Sequence, residues 1–301
     1  MLVVLTGATG FVGGRVADRL LKAGHELRLL GRRSALKGND RVEWFAWDAL
    51  AGSPPAESLE GADAVVHLAG EPIAQRWNRA VKQRIRDSRV QGTHHLVECW
   101  KHLIRPPRAL ICASAIGYYG PRGDEILTEN SAPGTDFLAR VCADWENEAR
   151  GAAEVGARVV PVRIGPVLGR GGALAQMLPA FRAGLGGRLG SGRQWMSWIH
   201  VDDLEGLVLF ALERESLRGP VNAVAPGAVT NAQFTQQLGR ALHRPTLLPV
   251  PGFGLRLLFG EMAGVMLTGQ HVLPGAAEAA GYGFAYPELD GALDRALSGA
   301  R

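Results

Sequence analysis

Along the first half of the chain, short apolar runs alternate with stretches whose apolar residues recur every three or four positions. LVVLT (2–6) has the length and character of a strand, and FVGGRVADRLLKAG (11–24) is an amphipathic helix stopped by glycine. ELRLLGR (26–32), VEWFAWD (42–48) and ADAVVHLAG (62–70) predict three more strands. A long helix is expected over about residues 77–102, a fifth strand at RALICASA (108–115), a helix over about 135–155 and a strand at ARVVPVRIG (157–165). Strands that are apolar nearly throughout and separated by helices pair in parallel with both faces covered. The fold class expected is therefore α/β, a doubly wound parallel sheet.

After residue 168 the pattern changes. Residues 169–192 are rich in glycine and predict a loop, a helix and a second loop. HVDDLEGLVLFALER (200–214) returns to a clean amphipathic helix, with Asp202 or Asp203 capping it and charging its first turn, and PVNAVAP (220–226) to a short strand. The remainder mixes helical runs with Pro and Gly. The expected division is a nucleotide-binding domain over 1–168, with 197–226 returning to it, and a smaller C-terminal lobe over 169–196 and 227–301.

Composition adds mostly exclusions. The chain has 301 residues, enough for one large α/β domain or two smaller ones, with 47% hydrophobic and 21% charged residues. Its three cysteines form no CxxC pair, which favours reduced, buried thiols. MLVVLTGATG breaks into glycine too early for a signal peptide, and no apolar run approaches a membrane span; a cytoplasmic location with no membrane partner is expected. Net charge is +4. The basic stretch RWNRAVKQRIRDSR (76–89) distributes its charges around a helix rather than along one stripe, which favours a solvated helix over a nucleic-acid surface.

The chemistry begins at TGATGFVG (6–13). Gly7, Gly10 and Gly13 stand in GxxGxxG spacing between the first strand and the first helix. Glycine there permits the tight turn, lets a pyrophosphate approach backbone N–H groups and lets helix pack on strand, while the helix N-terminus faces the anion. Cofactor contact is thus expected along Gly7, Thr9, Gly10, Phe11, Val12 and Gly13. At the end of the second strand stand Gly31, Arg32 and Arg33, where an acidic residue would bind a free ribose 2′-hydroxyl. Arginine instead offers a charged fork to a 2′-phosphate, so NADP(H) is favoured over NAD(H). Asp48 is placed either to reach the adenine amino group or to sit as a solvated loop carboxylate.

These motifs, with HLAG (67–70), QGT (91–93), RIGPVLG (163–169) and WIHVDDL (198–204), resemble the extended short-chain dehydrogenases/reductases of the NAD(P)-dependent epimerase/dehydratase superfamily. SAIGYYG (114–120), FLARVCADWE (137–146), GSGRQWMSWIHVDDL (190–204) and the tail LTGQHVLPG…GYGFAYPEL (267–289) are similar to its atypical "epimerase family protein" branch. The resemblance spans essentially the whole chain. It implies a Rossmann-type sheet, NADP(H) on the amino-terminal lobe and a substrate cleft between the lobes. It also implies cofactor contact at Gly31, Arg32, Leu68, Ala69 and Arg89, and at backbone near Val167.

Most active members of the superfamily carry Tyr-x-x-x-Lys on the helix after the fifth strand, the lysine assisting a phenol that exchanges a proton as hydride moves. This chain has no such pair: its tyrosines are 118, 119, 282 and 286, and no lysine follows residue 101. Alignment on Trp145-Glu146 puts Leu138 and Cys142 in its place. Ser114, at the family position of a serine that binds a substrate oxygen, and Tyr118 or Tyr119 then become the catalytic candidates; the alternative is that both rings only line or pack the cleft. Trp195 and Trp198 are candidates for the substrate wall or for core, while His94 and His95 lack carboxylate partners for a metal. The expected function is an NADP(H)-dependent oxidoreductase acting on a small carbonyl or alcohol. The alternatives are a nucleotide-sugar epimerase-like enzyme and a non-catalytic NADP(H)-binding redox sensor.

Overall fold

A computed structural model describes residues 1–33 and 40–298. Residues 34–39 and 299–301, which fall within the two domains expected from sequence, lie outside the described residues.

Seven parallel strands form the central sheet: β1 (Leu2–Thr6), β2 (Glu26–Gly31), β3 (Val42–Ala46), β4 (Ala64–His67), β5 (Ala109–Ala115), β6 (Arg158–Ile164) and β7 (Val221–Ala223). Their spatial order is β7-β6-β5-β4-β1-β2-β3. The chain builds outward from β1 in one direction and then in the other, so the order reverses between β1 and β4. A crevice opens there, beyond the carboxyl ends of the two strands. In register, Leu5 faces Leu29 and Val66, and Val66 faces Ile111.

Alternation along each strand explains why both faces are covered. Val3 and Leu5 point to one side with Leu27, Leu29, Val66 and Ile111, against helices α1 (Phe11–Lys22) and α5 (Val201–Glu213). Val4 points to the other with Leu30, Val65 and Leu110, against α2 (Arg79–Lys101) and α3 (Phe137–Arg150). β3 departs from the all-apolar expectation: it is the edge strand, and Glu43 and Trp44 are exposed. The fourth strand is shorter than its apolar run, because after His67 the chain turns into the crevice loop.

A separate apolar cluster joins α4 (Gly172–Arg182), α6 (Asn231–Ala241) and α8 (Leu289–Leu297) through Leu174, Phe181, Phe234, Leu238 and Leu293. Between α6 and α8 lie α7 (Gly252–Phe259) and two short helices, Ala263–Leu267 and Gly275–Ala279. The start of α5 corrects the expected cap. His200 is the capping residue, its Nδ1 accepting from the Asp202 N–H at 3.2 Å. Asp203 is buried and accepts the backbone N–H groups of Ala285 and Tyr286, tying the C-terminal tail to the helix.

Among the described residues, no helix is long and apolar enough to cross a membrane.

Candidate functional site

The crevice is walled by the loop after β1. Gly7 has φ +78°, a region that L side chains rarely adopt, and a Cβ there would stand 2.8 Å from the Leu68 carbonyl carbon. A Cβ on Gly13 would overlap the Gly7 carbonyl oxygen. Helix and strand therefore approach one another only because both positions are glycine. Gly10 is the N-cap of α1 and brings no side chain to satisfy the first N–H groups, and the first turn holds no acidic residue. Those donors and the positive end of the helix dipole are left for an anion. A cradle that a Cβ would fill, at a helix end that carries no acid, fits a dinucleotide diphosphate.

The other expected cofactor residues fall around this cradle with different degrees of freedom. Thr9 is exposed; Val12 is half-buried. Phe11 is turned away to support a second glycine arch: a Cβ on Gly169 would come within 2.7 Å of its ring. Val167, half-buried, pairs with Ile199 beside that arch. Gly31 ends β2 opposite Ala46. Arg32 is exposed, and among the described residues it meets no carboxylate. Asp48 is an exposed loop carboxylate that accepts the Leu50 N–H at 3.1 Å.

Leu68 and Ala69 are fixed from below. Their N–H groups both donate to Thr6 Oγ1 at 3.1 Å, and that hydroxyl is 2.8 Å from His67 Nδ1. His67 Nε2 in turn lies 3.1 Å from Thr93 Oγ1. Burial lowers the His67 pKa to about 4, so the ring is neutral near pH 7.

Arg89 is not an open phosphate ligand. It is buried, its Nη1 donates to the Glu71 and Ile85 carbonyls, and its guanidinium lies 5.2 Å from the Trp145 ring centroid. A Cβ on Gly70 would stand 3.2 Å from it, so Arg89 braces the loop after β4 from beneath.

At the carboxyl end of β5 the three catalytic candidates separate. Tyr119 is completely buried; its hydroxyl donates to Asn222 Oδ1 at 2.6 Å and accepts from Arg163 Nη1 at 2.9 Å. Burial, only partly offset by Arg163, raises its pKa. A phenol closed off from solvent and held at both ends cannot serve a substrate, and Tyr119 is corrected to a structural residue. Ser114 is also buried, and its Oγ donates to Glu146 Oε1 at 2.7 Å. With its proton held there, the Ser114 oxygen is left only as an acceptor. Tyr118 is half-buried, its ring 3.5 Å from the Arg163 guanidinium carbon and edge-on to Tyr119. No group among the described residues bonds its hydroxyl.

The residues that organise this end of the sheet were missed in the sequence. Glu146, from α3, and Arg163, from β6, form a buried bidentate pair at 2.8 and 2.9 Å. Burial works against the Arg163 charge, but the hydrogen bonds and charge of Glu146 outweigh it and keep its pKa above the usual range. Arg163 also donates to the Glu129 carbonyl. Charged residues inside an apolar strand and on the inner stripe of a helix are the signal that could have found them, since burial demands a partner.

Leu138 and Cys142 stand on α3 beside these groups. Cys142 is buried and its thiol is pushed up to about 12 by burial, so it is inert as a nucleophile. Trp198 is fully buried core, its Nε1 donating to the Gly227 carbonyl. Trp195 is half-buried, stacks on His271 at 3.8 Å and donates to Asp124. His94 pairs with Glu148, and His95 bonds the Ala49 carbonyl. Among the described residues, no group of three or more His, Cys, Asp or Glu side chains is placed to hold a metal.

A parallel sheet with a glycine-tight diphosphate cradle at its switch point defines the nucleotide-binding class of this fold. The chain belongs to the NAD dependent epimerase/dehydratase family, whose model matches residues 3–223; a domain of unknown function, DUF1731, matches residues 250–296. Among its relatives, the Arabidopsis thaliana protein named "Epimerase family protein SDR39U1 homolog, chloroplastic" is 43% identical, covering 97% of this chain and 86% of its own. A crystal structure of human epimerase family protein SDR39U1 with NADPH is 36% identical, with a TM-score of 0.89 over 99% of this chain and all of that one. A Corynebacterium glutamicum structure described as a nucleoside-diphosphate sugar epimerase is also 36% identical, with a TM-score of 0.79; the match covers 99% of this chain and 58% of that one.

Proposed function

We propose that the protein is an NADP(H)-dependent oxidoreductase acting on a small carbonyl or alcohol substrate. The observation that carries this reading is the cradle itself: the close approach at Gly7 and Gly13, the acid-free N-terminus of α1, and Arg32 at the end of β2, which meets no carboxylate among the described residues. The human relative crystallised with NADPH supports the same cofactor. In this reading residues 1–168 and 197–226 hold the dinucleotide, and 169–196 with 227–301 supply the substrate lobe. Gly7, Thr9, Gly10 and Gly13 take the diphosphate, Arg32 takes the 2′-phosphate, and Leu68, Ala69 and Val167 border the crevice with their backbone.

When bound, the nicotinamide supplies or accepts a hydride. The chain's own contribution is to place the substrate oxygen and manage its proton. Tyr118 carries the available phenol, its ring oriented by the Arg163 guanidinium and the edge of Tyr119. Ser114, its own proton held by Glu146, accepts from a substrate hydroxyl.

A non-catalytic NADP(H)-binding protein is the second reading, favoured by Leu138 and Cys142 standing where tyrosine and lysine would be. Steady-state oxidation of NADPH against a panel of aldehydes and ketones separates the two. The enzyme reading predicts turnover, with Tyr118→Phe lowering kcat about 10²-fold or more and leaving NADPH affinity unchanged. Tight NADPH binding without turnover on any carbonyl, or full activity in Tyr118→Phe, contradicts it.

A further inference from the structure

Two segments after residue 168 have a one-sided charge, in contrast to the tail from residue 269, which carries four carboxylates. Residues 169–196 contain four arginines and residues 227–268 three, against a single carboxylate, Glu261. All of these arginines are exposed, and among the described residues none of them meets a carboxylate. Glu261 is itself paired with Lys82 at 2.7 Å.

Large apolar side chains are exposed in the segments that carry Arg182, Arg188, Arg244 and Arg256. Leu247 is 88% exposed, Phe253 76% and Leu257 74%, with Leu185, Leu248 and Leu258 near two-thirds. They are brought together by the backbone. Segment 182–190 runs beside 244–250: Arg244 Nε donates to the Arg182 carbonyl at 2.9 Å, Val250 N to the Arg188 carbonyl at 2.8 Å and Gly190 N to the Val250 carbonyl at 2.9 Å. α7 follows directly. It is anchored by buried Leu255, while Phe253, Arg256, Leu257 and Leu258 face outward. Isolated exposed leucines are ordinary; a cluster beside arginines that meet no carboxylate among the described residues marks a docking surface.

The charge selects the occupant. A second copy meeting this face about a two-fold axis would set arginines against arginines. A nucleic acid would satisfy the arginines but gain little from exposed leucines. A bilayer carrying anionic headgroups satisfies both: guanidinium groups sit at the phosphates while Leu and Phe enter the headgroup–acyl boundary. We infer that the face formed by α7 and segments 182–190 and 244–250 docks the protein on an anionic lipid surface. The sequence-based expectation of no membrane partner rested on the lengths of apolar runs. Those lengths exclude a spanning helix and leave a surface-lying one open.

The test is co-sedimentation of the full chain with phosphatidylcholine vesicles, with and without phosphatidylglycerol. Binding is expected only with phosphatidylglycerol and is expected to weaken as salt rises. Arg244→Glu with Arg256→Glu should lower vesicle affinity about tenfold or more. Phe253→Ser with Leu257→Ser should also weaken it, with far-UV circular dichroism and Tm unchanged. If a variant fails to fold, the lipid and salt dependence of the unmodified chain decides. Equal binding to both vesicles, or none, overturns the inference. So does a concentration-dependent mass increase that the arginine substitutions leave intact, or retention on RNA in place of vesicles.

Discussion

The imidazole of His67 sits in the wall of the crevice between two threonine hydroxyls, fully buried and neutral. Its burial has a definite pH consequence. With a folded pKa of about 4 against 6.5, the unfolded chain binds the proton more readily. The contribution to stability is whole above about pH 6.5, declines as pH falls towards about 4, and is flat below that. The full loss from this residue is about 3–4 kcal/mol. Urea denaturation of the protein and of His67→Gln across this range should show their stability difference shrinking as pH falls. A constant difference would contradict the assignment. Because Thr6 also holds the Leu68 and Ala69 N–H groups, the same network sets the crevice loop.

At the scale of elements, the Glu146–Arg163 pair joins α3 to β6 and reaches Ser114, Tyr118 and Tyr119 on β5 and the turn after it. Removing one charge strands the other in the interior. Glu146→Ala should cost about 3–5 kcal/mol. Adding Arg163→Met should recover part of that loss, measured by chemical denaturation; strictly additive losses would show that the two residues do not interact. The elements themselves were largely legible. Apolar runs of strand length and three-to-four periodicity place β1, β2, β5, β6 and the long helices within a few residues, because burial on both faces leaves a strong local signature. The glycine loop was legible for the same reason: its requirement is steric and local. What escaped was non-local. Nothing near Tyr119 in the chain announces Asn222, more than a hundred positions away. Likewise, nothing near Arg89 reveals that its guanidinium lies under Gly70 and not in the open cleft.

For the molecule as a whole, the reversal of strand order puts Gly7 against Leu68 and Ala69 and opens one crevice. The C-terminal tail is held to α5 through Asp203, which takes the Ala285 and Tyr286 N–H groups while its carbonyl accepts the Tyr282 hydroxyl. The central claim concerns the cradle. Calorimetric titration of NADPH and NADH into the protein and into Arg32→Ala tests it most directly. The account predicts that NADPH binds more tightly than NADH, and that the substitution costs NADPH about 1–3 kcal/mol while leaving NADH nearly unchanged. No heat with either dinucleotide, or equal losses for both, would contradict it.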